Sequence, residues 1–249
     1  YGTILQAYGW EKGWQSLTLM AANTKGFKIS SKDVVKDLVA GDAMFTPSVD
    51  YYAWKEIERL GPDKISFLLP EGLSMINPDS FSMLKGAPNP QEGRLFIEWV
   101  LSDAGQKAWM LKAGEPGGPP RATLSRLAVL PQVYQEVRGK TLITINPFEK
   151  SSFIQYNVEQ DELLWDIFND LMGTMLVDSH PALAAAWEKV IAGGCKPAAL
   201  TKLGEMPLTL EQARQMSDRW KDDKFRNATI NQWLTFNQKK FDEAVRLGR

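Results

Sequence analysis

Apolar residues recur at helical spacing from the start of the chain. Trp10, Trp14, Leu17 and Ala21 fall at i, i+4, i+7 and i+11, and the stripe fades at Asn23. The stretch SSKDVVKDLVAG predicts a second helix, with Ser31 as its cap, Val34, Val35 and Leu38 on its apolar face and Gly41 ending it. AMFTPSV reads as a short buried strand ending near Pro47. DYYAWKEIERLG then reads as a helix with Asp50 at its N-cap and a stop at Gly61-Pro62, and KISFLLP as the next strand. Strand and helix alternating this quickly predict an α/β layer with a largely parallel sheet.

Beyond Pro70 the pattern changes. Asn77-Pro78-Asp79 is a turn signal and SFSML a further short strand. Asn89-Pro90-Gln91-Glu92 starts a helix, with a cap, proline at the first position and an acidic residue at the third. That helix gives way at Ser102 to DAGQKAWMLKAG. GEPGGPPR, from Gly114 to Arg121, is a break that no regular element crosses. From there the chain reads as mainly helical. Leu164, Phe168, Leu171 and Met175 form one stripe, followed by HPALAAAWEKVIAGG, TLEQARQMSDRWKDD and NATINQWLTFNQKKFDEAVRLG.

The 249 residues suffice for one large domain or two modest ones. With 29 basic against 30 acidic residues and no basic tract, the sequence carries no electrostatic footprint for nucleic acid. No apolar run approaches the roughly 20 residues a spanning helix needs. Cys195 is the sole cysteine, so no internal disulfide forms. The opening YGTILQAYGW has no initiator methionine and no capping residue ahead of its helical pattern. It is expected to be a cut end, with any targeting segment upstream.

Candidate chemistry centres on Tyr51 and Tyr52, two adjacent phenols where a strand is predicted to hand over to a helix. Open α/β sheets bind ligands at that edge, and helix N-terminal amides favour anions there. Phenol oxygens hydrogen-bond polar ligands and, as phenolates, bind hard metals. The competing reading puts Tyr52 and Trp54 in the core and Tyr51 on the surface. His180 precedes a proline in VDSHPALAAAW, which suits a cap or surface role. Cys195 has only Lys196 as a basic neighbour, too little to activate a thiol. Pairs such as Asp222-Asp223, or Glu159 with Asp161, are ordinary solvated helix ends. GEPGGPPR lacks the Lys-Ser/Thr of a phosphate loop. No catalytic or metal-ligating constellation emerges.

Several phrases together resemble one family. AANTKGFKISSKDVVKDLVAGDAMFTPSVDYYAW, GPDKISFLLPEG, NPDSFSMLKGAPNPQEGRLFIEWVLSDAGQKAWML and GGPPR are similar to the later part of bacterial extracellular solute-binding proteins of ABC importers (family 1). The nearest branch includes ferric-iron-binding members. The resemblance implies α/β lobes of the type II periplasmic-binding-protein kind with a mainly helical C-terminal tail, the N-terminal part of the fold being missing. On that template residues 1–67 belong to a second lobe, 68–122 return to the first, and 123–249 pack on the second. It further implies that Tyr51 and Tyr52 hold ligand, as phenolates if the cargo is ferric iron. Ser48 and Asp50 shape the turn, and Asn77 and Asp79 approach from the other lobe. The implied protein is a periplasmic or lipid-anchored monomer with no resident cofactor. It would bind a small-molecule or metal ligand and hand it to a membrane permease.

Two other classes compete. One is an α/β enzyme acting on small anionic substrates with Arg121 as the anion clamp. The other is a helical protein-docking module that presents Trp220 and Trp233 to a partner.

Overall fold

The computed structural model describes residues 2–74, 79–149, 154 and 156–249. In chain order the helices are α1 (Gly2–Tyr8), α2 (Trp10–Ala22), α3 (Ser31–Val39), α4 (Asp50–Leu60), α5 (Pro90–Leu101), α6 (Asp103–Met110) and α7 (Val133–Glu136). They continue with α8 (Val158–Met172), α9 (His180–Ala192), α10 (Pro197–Leu203), α11 (Leu210–Met216) and α12 (Asp223–Gly248). Two compact units form: residues 1–27, 72–75 and 154–249 in one, residues 28–71 and 76–153 in the other.

The first unit is a helical assembly whose stripes meet in one core. Trp14, Leu17 and Ala21 of α2 pack with Leu164, Ile167 and Leu171 of α8, Leu183 and Val190 of α9, and Trp233, Phe241 and Ala244 of α12. A π-helical turn at Gly173–Val177 extends α8 and buries Met175 and Leu176. Side chains cap the starts of α8, α11 and α12. Thr209 and Gln212 form a reciprocal capping box on α11, and Asp222 accepts from the amides of Lys224 and Phe225 at the start of α12. The Trp220 and Trp233 rings stack at 5.2 Å, each only 4% exposed, so the docking-module expectation fails: their indoles are core, not a presented surface.

The second unit overturns the α/β, type II periplasmic-binding-protein-like expectation. Among the described residues there is no β-strand, only an isolated antiparallel bridge between Leu111 and Thr141. The predicted strands AMFTPSV, KISFLLP and SFSML run without a ladder. Their alternation is nevertheless visible: Ile65 and Phe67 pack on the core while Leu68 is 77% exposed. Extended backbone with one apolar edge becomes a strand only when a neighbour supplies the cross-strand hydrogen bonds. Here the core forms instead from Trp54 and Ile57 of α4, Met110 of α6, Val133 and Val137 around α7, and Leu111 and Ile143.

Two cap assignments also shift by one residue. Ser30, not Ser31, accepts from the Lys32 amide at the start of α3. Val49 is the N-cap of α4, and Asp50 is its first helical residue.

Candidate functional site

The phenol pair lies in the first turn of α4, within the second unit. The face of α4 that turns inward carries Ala53, Trp54 and Ile57, all buried, whereas Tyr51 and Tyr52 are only half-buried. Neighbours on a helix diverge by about 100°. The two rings nonetheless lean together, with centroids 4.2 Å apart and planes inclined at 41°. The guanidinium of Arg126 lies over the Tyr51 ring, 3.6 Å from its centroid. Cation–π contact of this kind contributes about 0.5–2 kcal/mol, according to how far it is desolvated.

Arg126 is held in place by its backbone. Its amide donates to the Trp109 carbonyl at the end of α6 (3.0 Å). On one side Thr123 donates to Glu58 of α4 (2.8 Å) and accepts from the Ala113 amide (3.1 Å). On the other, buried Gln106 of α6 accepts from the Val129 amide and donates to the Val100 carbonyl, both at 2.7 Å. Ser125 between these anchors has φ 54° and is buried with no partner for its hydroxyl. Such left-handed backbone on a non-glycine residue costs on the order of 1–3 kcal/mol, a strain that surrounding structure must impose.

The electrostatics follow from this geometry. The Tyr52 hydroxyl, paired with that of Tyr51, pushes the Tyr51 phenol above its ordinary range, and partial burial adds to this; Arg126 pulls the other way. Burial pushes the Asp50 carboxyl up, against the Tyr51 amide and the charge of Arg126, which both favour its ionised form. Asp79 is exposed and close enough to Asp50 to raise it further. Tyr134, whose hydroxyl donates to the Ala128 carbonyl (2.8 Å), is pushed up by burial and feels the Asp50 charge.

The structure therefore gathers Asp50, Tyr51, Tyr52 and Asp79 into one neighbourhood. Ser48 stands just before it, its hydroxyl donating to the Val49 carbonyl at 3.2 Å. Asn77 lies outside the described residues. Arg121 is exposed on the turn after Gly118. Arg126 is the residue that reading the sequence missed. Its signal was an arginine next to Ser125 within the run Leu124–Leu130, whose other five residues are apolar. The Nε2–H of His180 donates to the Thr24 carbonyl (2.8 Å), and the ring meets Phe27 edge-on, which is a packing role. Among the described residues no group of three or more His, Cys, Asp or Glu side chains is placed to hold a metal ion.

Two hollows in the first unit are weaker candidates. One is a shallow face of α12 around Asn231, Thr235 and Phe236. The other lies between α1, α8 and α11, where the polar rim is already paired: Gln6 exchanges two hydrogen bonds with the Asn157 backbone, and Arg214 donates to Gln160.

Tyr51, Tyr52 and Arg126 thus form a half-buried cluster of two phenols and one guanidinium. Residues 2–136 match the bacterial extracellular solute-binding proteins, and the chain belongs to that family. Tyr51, Tyr52 and Arg126 all fall inside the matched region. The ferric-iron branch is not supported by this match. The chain is also 29% identical, over 123 residues, to the phosphoglycerate transport regulatory proteins of Salmonella typhimurium and Salmonella typhi. That alignment covers 49% of this chain and 30% of the length of those relatives. No solved structure matches the chain significantly. No helix among the described residues is long and apolar enough to cross a membrane.

Proposed function

We propose that this chain is the solute-capturing component of a bacterial ABC importer, working outside the cytoplasm and handing a small solute to a membrane permease. Tyr51 and Tyr52 contact the solute, Asp50 and Ser48 set the turn beneath them, and Asp79 borders the site. The observation that carries this reading is the half-exposed phenol pair at the start of α4, braced by Arg126, in a family whose members bind solutes. Ferric iron is the poorer cargo. Phenolate ligation requires Tyr51 to lose a proton that Tyr52 helps it keep, and a guanidinium on the same ring repels a trivalent cation.

Binding to the folded state alone stabilises it by RT ln(1 + [L]/Kd), about 2.7 kcal/mol at a hundredfold excess over Kd. Thermal melts of the chain against inorganic phosphate, phosphoglycerate, putrescine, glycerol, maltose and ferric citrate test the reading. Phosphoglycerate is in the panel because it appears in the relatives' name. At least one compound should raise the midpoint in proportion to its concentration, and Tyr51→Phe with Tyr52→Phe should abolish most of that rise. A panel without any effect, or a rise indifferent to both substitutions, removes the site from the argument.

A further inference from the structure

We infer that Arg126 makes this a site for an anionic solute, gripping a carboxylate or phosphoryl group through its guanidinium edge while the phenols of Tyr51 and Tyr52 add neutral hydrogen bonds. The inference rests on the solute-capture reading and sharpens it to a substrate class.

The first support is an imbalance of partners. Of the ten arginines only Arg126 and Arg226 are half-buried, and Arg226 meets the Asp170 carboxylate at 2.7 Å. Arg126 is half-buried, yet among the described residues no carboxylate lies within ion-pair distance of it. Its close contact is the face of the Tyr51 ring. A guanidinium stacked on an aromatic face keeps its N–H fork in its own plane, and that fork matches two oxygens of a carboxylate or phosphate.

The second support is where the remaining donors are spent. Val49, the N-cap of α4, offers no side-chain acceptor, and the Asp50 and Tyr51 amides favour the ionised Asp50 carboxyl beside them. The full positive charge for an incoming anion comes from Arg126. Asp50 and Asp79 oppose an anion. Asp79 is exposed and screened by solvent, and Asp50 is engaged by its own amides. The Tyr52 hydroxyl helps the Tyr51 phenol keep its proton, so the pair meets an anion as neutral phenols. Ser125 and its strained backbone fix the direction from which Arg126 arrives.

The test is isothermal titration of the full chain with inorganic phosphate, phosphoglycerate, glycerol and putrescine. It uses the natural sequence, Arg126→Gln and Arg126→Lys, with far-UV circular dichroism confirming that each variant folds. Phosphoglycerate or phosphate should bind, and glycerol and putrescine should not. Arg126→Gln should weaken the anion about 10- to 100-fold, the usual loss for a charge-assisted hydrogen bond. Arg126→Lys keeps the charge without the fork and should fall between. Added sodium chloride should weaken anion binding to the natural protein and barely affect the glutamine variant. If putrescine or glycerol binds instead, and Arg126→Gln leaves that binding unchanged, the anion assignment is wrong while solute capture stands. Absence of binding by any of the four, together with a flat wider panel in the melts above, removes both.

Discussion

Replacing Lys240 with methionine should stabilise the chain at neutral pH and change it little at pH 10. Lys240 sits on α12 at 2% exposure, and its ammonium donates to the Glu205 carbonyl at 3.1 Å. The rings of Phe241 and Phe236 lie 5.2 and 6.0 Å away, and among the described residues no carboxylate stands within ion-pair distance. Burial pushes this amine from the ordinary 10.5 down to about 7, with the charge of Glu205 offsetting only part of the cost. Between those two values the unfolded chain holds more protons than the folded one, so stability rises with pH across the window. The penalty is complete below about pH 7 and gone above about pH 10.5.

The gap, 10.5 minus about 7, corresponds to about 5 kcal/mol at 1.36 kcal/mol per pKa unit. Raising the pH from 7 to 10 should recover about 3.5 kcal/mol of it. These are upper figures, because side-chain relaxation and water entry lower the desolvation cost of a buried ion. Methionine keeps the stem and drops the charge, but it leaves the Glu205 carbonyl without its donor, a loss of about 1 kcal/mol. The expected advantage of Lys240→Met is therefore about 2–4 kcal/mol at pH 7, shrinking below about 1 kcal/mol at pH 10. Urea titrations at pH 7, 8, 9 and 10, followed by tryptophan fluorescence, measure the difference between the two proteins and cancel every other titrating group. Two stability curves running parallel across that range would show that Lys240 keeps an ordinary pKa, and the desolvation argument would be wrong.

Two further substitutions probe the same helical unit. Asp170→Asn removes a bidentate grip on Arg226 (2.7 and 2.8 Å) and replaces an acceptor for the Trp220 indole (2.8 Å). Arg226 is 41% exposed, which limits the loss to about 2 kcal/mol, read as a lower melting midpoint with red-shifted Trp220 emission. Gly193→Ala drives a Cβ into the Gly248 carbonyl oxygen, so it should cost about 1–3 kcal/mol. Gly173→Ala meets nothing within 4 Å and should be near neutral, and equal effects at the two positions would mean that the ends of α9 and α12 do not abut.

Local signals were readable where they depend on neighbours in sequence. The Trp14, Leu17, Ala21 stripe, the Asn89-Pro90 start of α5 and the break at Ser102 all reappear as helices and caps. Even the cap errors at Ser30 and Val49 are slips of one residue. What failed was pairing. Ile65 and Phe67 do face inward as period-2 alternation predicts, but alternation states which side is apolar and not whether a second strand lies alongside. Likewise, Trp220 and Trp233 look presentable on a polar helix, and only the fold shows that they stack on each other beside Asp170.

The site divides along the same line. Tyr51 and Tyr52 announce themselves as adjacent letters, but adjacency on a helix sends two side chains in different directions, so it cannot by itself bring two rings to 4.2 Å. Something beyond α4 must favour that lean, and the structure shows Arg126 lying on the Tyr51 ring. Arg126 can do this only because Gln106 and Thr123 pin the loop on either side of it, and because Ser125 accepts a backbone conformation it would not choose alone. The phenols are thus positioned by residues from α6 and the loop that follows, none of which carries a recognisable motif. On the proposed reading, a loop fixed at both flanks leaves Arg126 little freedom to follow a displaced ligand, so the spacing between guanidinium and phenols would act as a ruler for the solute. A site of this build should discriminate by where a solute carries its charge more sharply than by how much charge it carries.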